Sequence, residues 1–336
     1  MARNCVYFVA IIFILSSCAA NRALQTETAL FPAEKTDKWW IINSISNDSA
    51  GNDLHFSSLI SMDKVPGKKY ATCFVSMWSS SDSGFYTGSR NTGNPGIKQQ
   101  YAFPVKVDLP GNDSGAIEWR WVLKRKVLEL QTELKKNGSA VLPKFTTATF
   151  SFDGQNPFRL SKLSVEPDVW AAAPIVSTVA VNGVLKAAAP GKLFVRVFTD
   201  KNILLSSSAN QFVHWLDLGL RGGKQLSILF TTDNTMQMKP TGILLWDEKG
   251  NIMAKPGVKL YADVTDQQPA GSSGRQYPLF FSIALPGENI DVMVKPTITG
   301  QEISANRNSF WIGAVYAIDR KTKEVTGKGN MYIFKK

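Results

Sequence analysis

The chain has 336 residues, of which 44 % are hydrophobic and 19 % charged, with nine Trp, 19 Phe and eight Tyr. That length suits two domains better than one, and the composition excludes global disorder. The formal charge of +11 admits nucleic-acid binding, but the basic runs (Lys124-Arg125-Lys126, Lys135-Lys136) are short. With no basic helix or aromatic RNA-binding signature beside them, they read as a basic surface and not as a nucleic-acid site.

At the N-terminus Arg3 precedes the apolar run Val6–Leu15, and small residues follow in Ser16-Ser17-Cys18-Ala19-Ala20. This is the pattern of a secretory signal over 1–18, too short to span a bilayer comfortably. Leu15-Ser16-Ser17-Cys18 fits a bacterial lipobox, in which Cys18 becomes the acylated first residue; the alternative is an ordinary signal peptide with an incidental cysteine. Acylation would hold the chain on a membrane surface, since two or more acyl chains anchor stably where one does not. The expected location is therefore the cell envelope or the exterior. Cys5 lies in the leader, so Cys73 alone remains, in the strand-like run Ala71–Val75, where it reads as a buried, inert thiol.

Residues 19–34 read as a polar tether. Thereafter short β-branched and aromatic runs are cut by Gly, Asn, Asp and Pro: 39–46, 54–62, 70–78, 145–152, 192–198, 212–220, 225–230, 242–246 and 310–318. Runs at roughly ten-residue intervals indicate β-barrels or sandwiches, not βαβ units.

Glu118–Leu134 is ambiguous. Leu123, Val127, Leu130 and Leu134 have helical spacing. Read as one strand, Trp119, Trp121 and Leu123 share a face, and a bulge would bring Leu128, Leu130 and Leu134 onto it. The breaks Ala171-Ala172-Ala173-Pro174 and Ala187-Ala188-Ala189-Pro190-Gly191 place a domain boundary at 188/189, giving domains of 35–188 and 189–336. Thr265–Gln276 is expected to be a loop at a rim.

There are two histidines, His55 and His214. No His/Cys cluster has metal spacing, and there is no phosphate loop, nucleophile elbow or dinucleotide fingerprint, so neither cofactor nor nucleotide is expected. In Phe212–Leu220, alternation puts Phe212, His214, Leu216 and Leu218 on one apolar, inward face, with Trp215 and Asp217 on the other. His214 is then either a satisfied core histidine or a proton-transferring group in an apolar pocket. His55 reads as structural, and Asp200 as a turn residue.

Three motifs together carry a resemblance. Asp37-Lys38-Trp39-Trp40-Ile41-Ile42 resembles the entry strand of the carotenoid 1,2-hydratase (hydroxyneurosporene synthase) and AttH-like group. Phe198-Thr199-Asp200-Lys201-Asn202 and His214-Trp215-Leu216-Asp217 resemble its mid-chain motifs. Ser309–Val315 and Gly327–Tyr332 resemble its closing strands. The resemblance implies two lipocalin-like β domains side by side, Glu118–Leu134 as strand, and a pocket for a hydrophobic small molecule between the domains. It extends to fungal decalin-forming Diels–Alderases.

On that resemblance Asp200 is the acid by motif position and His214 its proton partner, with Trp40, Trp78, Trp121 and Trp215 as pocket walls. The chemistry would be hydration, cyclisation or isomerisation of an isoprenoid or polyketide-like molecule. The sequence departs from the family at Asn202, Ile203, Ile41 and Ile312, where Glu, Trp, Tyr and an acid are usual. Those losses keep open a non-catalytic lipid- or isoprenoid-binding envelope lipoprotein.

Overall fold

The structure is a computed structural model. It describes residues 38–335 apart from 48–49, 66–67, 82–83, 93–95, 100–103, 110–116, 123–126, 137–143, 153–158, 162–168, 182–183, 199–211, 233–237, 249–251, 255–260, 270–275, 299 and 306–307. The leader with Cys18, the tether and Asp200 thus lie outside the described residues.

The first sheet comprises β1 (Lys38–Asn47), β2 (Asp53–Val65), β3 (Lys68–Ser79), β4 (Gly84–Thr92), β5 (Gly96–Gln99), β6 (Pro104–Leu109), β7 (Ile117–Val122), β8 (Val127–Lys136), β9 (Lys144–Phe152), β10 (Arg159–Ser161), β11 (Val169–Val181) and β12 (Val184–Phe198). Its strands β11, β12, β1, β2, β3, β4, β8 and β9 pair antiparallel in that order, and β9 pairs back to β11. An eight-stranded ring therefore closes, with β5–β7 as a meander outside it. Closure removes the free strand edges that would otherwise recruit other chains.

The second sheet comprises β13 (Phe212–Leu220), β14 (Gln225–Thr232), β15 (Met238–Trp246), β16 (Ile252–Ala254), β17 (Tyr261–Pro269), β18 (Gln276–Leu285), β19 (Ile290–Pro296), β20 (Glu302–Ala305), β21 (Asn308–Asp319) and β22 (Val325–Lys335). Its order β15-β14-β13-β22-β21-β19-β18-β17 curls until β15 and β17 approach each other. The chain is thus all-β, with two lipocalin-like barrel domains. Among the described residues the non-strand elements are two 3-10 turns, Arg221–Gly223 and Pro286–Glu288. The first of these depends on Gly222 and Gly223, at φ 77° and 80°, a region that side-chain-bearing residues avoid.

Three expectations are corrected. Glu118–Leu134 is neither a helix nor one bulged strand, but the antiparallel pair β7/β8 with Trp119 opposite Leu130 and Trp121 opposite Leu128. The alanine-proline segments are interior to β11 and β12, which pair along their length, so the chain leaves the first sheet only after Phe198. Pro190 is tolerated because the β1 ladder ends one residue away at Ser46–Gly191. Thr265–Pro269 belongs to β17 and Gln276 opens β18, a hairpin with two register shifts.

The alternation read in β13 holds. Phe212, Leu216 and Leu218 join Leu226, Ile228, Phe230, Tyr277, Phe281, Trp311 and Met331 in one cluster that fills the second barrel. Val213 and Trp215 face out of that barrel and join a second cluster built from both sheets.

Candidate functional site

The second cluster lies where the two barrels meet outer face to outer face. The first sheet contributes Ile41, Ile45, Leu59, Phe74, Trp78 and Phe194, and the second Trp215, Trp246, Phe310, Ile312, Tyr332 and Phe334. β1 can supply this seam because it is buried on both faces. Ile41, Asn43 and Ile45 point at the other barrel, while Ser46 bonds Ser177 at 2.8 Å within its own sheet. Large aromatic surfaces buried in this way hold the domains together, at about 25 cal/mol for each Å² of apolar surface removed from water.

Polar groups inside the seam fix its register. Asn43 Nδ2 donates to Asp217 Oδ2 across the domains at 2.6 Å, Ser227 Oγ donates to Asp217 Oδ1, and the Tyr332 hydroxyl donates to Asn43 Oδ1. Asn330 Nδ2 donates to the Ser44 carbonyl at 3.1 Å. Lys328 pairs with Asp53, which also accepts from Asn47. A buried carboxylate left alone would be costly, so these bonds specify one mutual arrangement of the barrels more than they add net stability.

His55 belongs to this seam. Its Nδ1 lies 2.8 Å from the Gly329 carbonyl, which can only accept, so Nδ1 carries the proton. Asn330 Oδ1 is 3.2 Å from the same nitrogen. Nε2 is then a buried acceptor without a partner among the described residues. Burial lowers the imidazole pKa to about 4 in spite of the opposing pull of Asp53. The Trp78 ring packs edge-on against His55 at 5.2 Å and against Tyr316 at 6.4 Å. Burial, assisted by the Asp53 carboxylate, pushes the Tyr316 phenol up.

The residues expected to form the site are not all brought together. Trp78 and Trp215 both lie in the seam cluster. Trp40 sits in β1 opposite Ile60 and Val197, and Trp121 in β7, on the meander outside the ring. His214 is inside the second barrel, with Nε2 2.8 Å from Thr232 Oγ1 and its ring stacked on Phe230 at 4.5 Å. Burial lowers its pKa to about 3, so it is neutral near pH 7. Because it faces away from the seam, it cannot serve as a proton partner there. His55, read as structural, is bonded into the seam, and the seam residues given no role by the sequence are Asn43, Asn330 and Tyr332, the last two within the closing motif Gly327–Tyr332.

At one end the seam opens into a cleft of about 470 Å³. Its wall from the first barrel is Ile45, Asn47, Gly191 and Lys192; from the second come Gly219–Arg221, Gly223 and Val325–Lys328. Gly191 is required at this mouth, since a Cβ there would lie 2.7 Å from Ser46 Cβ. The Lys192 ammonium donates to the Gly223 carbonyl of the other domain, and burial lowers its pKa to about 8. Beside Gly219 in the ladder lies Gln225, and beside Gln225 lies Trp246. Gln225 Oε1 and Trp246 Nε1 are buried polar atoms without partners among the described residues.

Among solved structures, the AttH-like protein of Nitrosomonas europaea superposes with a TM-score of 0.62 at 12 % identity, over 91 % of this chain and 98 % of that one. Kievitone hydratase from Nectria haematococca superposes with a TM-score of 0.58 at 11 % identity, over 92 % and 91 %. No family model matches the sequence, and neither does any curated protein. The chain thus has the two-domain lipocalin-like fold of these proteins, as its motifs indicated. At such identities the likeness is one of fold.

Proposed function

We propose that this chain is an exported protein that binds a small, largely apolar molecule of isoprenoid, polyketide or fatty-chain type in the cleft between its two barrels, without turning it over. The carrying observation is the inter-barrel cleft of about 470 Å³, into which Ile45, Leu220 and Val325 contribute apolar surface. That volume falls in the range of small-molecule sites, roughly 300–1,000 Å³.

Kievitone hydratase, by its name an enzyme, shares the fold and gives the catalytic reading its support. Hydration needs a positioned acid at the ligand. Among the described residues, the seam carboxylate Asp217 is held by Asn43 and Ser227, and His214 is stacked on Phe230 inside the second barrel. Asp200, the acid by motif position, lies outside them, and what the described residues support is binding.

Decanol titrated into the full chain and followed by tryptophan fluorescence is expected to saturate at one site. Absence of saturable binding, by fluorescence and by calorimetry, would overturn the proposal. Export and anchoring through Cys18 rest on the leader sequence. Cys18→Ser is expected to move the protein from the membrane to the soluble fraction; unchanged partitioning would remove the anchor.

A further inference from the structure

The cleft is asymmetric in charge. Among its lining residues are three cations, Lys192, Arg221 and Lys328, and no carboxylate. Arg221 is paired with Glu324 at 3.0 Å and Lys328 with Asp53. Lys192 has no acidic partner among the described residues; its bond is to the neutral Gly223 carbonyl. A half-buried ammonium with no counter-charge among the described residues is held at a desolvation cost, which shows in its pKa of about 8. An anion entering the cleft would remove that cost and restore full protonation.

Resting on the reading of the cleft as the ligand site, we propose that its ligand is an apolar acid whose single carboxylate meets Lys192. One uncompensated ammonium matches one negative charge. A dianionic phosphate would bring more charge than the cleft leaves unpaired. The apolar tail would lie against Ile45, Leu220 and Val325, and the head would bridge the domains, since Lys192 already reaches across to Gly223.

The test compares decanoate, decanol and decyl phosphate on the full chain and on Lys192→Gln, which keeps most of the side-chain stem. A charge-assisted contact in a partly buried site is worth about ten-fold or more in affinity. Wild-type protein is expected to bind decanoate about ten-fold more tightly than decanol, and Lys192→Gln to bind the two alike. The wild-type preference should fade as pH rises above about 8, where the free amine loses its proton. Equal binding of decanoate and decanol by the wild type would overturn the carboxylate inference while leaving the cleft as a ligand site. Tightest binding of decyl phosphate, lost in Lys192→Gln, would overturn the choice of carboxylate. Binding of none of the three would overturn the cleft reading itself. Circular dichroism of Lys192→Gln separates lost recognition from lost fold.

Discussion

His55 and His214 are the two histidines of the chain and both are buried, but they are held by different surroundings. His55 is bonded into the seam through the Gly329 carbonyl, and His214 is stacked on Phe230 beside Thr232. In each case burial is the main cause of the lowered pKa, about 4 and about 3. Both are neutral when folded at pH 7, while the unfolded chain takes up a proton on each below about 6.5. Their contribution to stability is therefore complete above about pH 6.5 and is lost as pH falls toward 4 and then 3. Summed over both, the loss between pH 7 and 4.5 is about 5 kcal/mol, from 1.36 kcal/mol per pKa unit. Urea unfolding should show that fall in the wild type and a much flatter profile in a His55→Gln/His214→Gln variant. Identical pH profiles for the two proteins would contradict it. Alternation placed the His214 side chain inward correctly, because period two is a backbone property. It could not tell a barrel core from a pocket, which depends on the strands opposite. His55 read as structural, but its partners were illegible for a related reason: Gly329 and Asn330 lie about 275 residues along the chain.

β1 shows how an element acquires a function that its own sequence does not state. Its residues from Ile41 to Ser46 are all buried, without the polar face expected of a barrel strand at the surface. One face closes the first barrel and the other meets β22 and its neighbours. The mixed run Ile41-Ile42-Asn43-Ser44-Ile45-Ser46 is legible as strand, and the two-sided burial follows only once a second sheet is laid against it. Asn43 then has a physical reason, as the donor to Asp217 and acceptor from Tyr332. β11 and β12 teach the opposite lesson. Alanine and proline signal breaks on average, yet within a long paired ladder small side chains cost little and Gly191 is needed for β1 to approach. The β7/β8 hairpin lies between these cases. Its apolar residues were legible, but its reversal was not, because helix, bulge and hairpin share the same apolar spacing.

For the molecule as a whole, the all-β character and the pair of lipocalin-like domains were legible from evenly spaced short strands and from motif order. The seam was not, since its contacts join residues on average far apart in sequence, such as Phe74 with Phe310. Beside the aromatic seam and bonded polar network that join the two barrels is an open corner where Ile45, Lys192, Leu220 and Lys328 converge. The central claim is that ligand binds at this corner and not inside a barrel. Hydrogen exchange of the full chain, read by mass spectrometry with and without saturating decanoate, tests it most directly. The expected result is slower exchange in Leu220–Lys224 and Val325–Lys328, with β18 and β19 unchanged. Bound decanoate that slows β18 and β19 instead, or leaves both cleft segments unaltered, would contradict it.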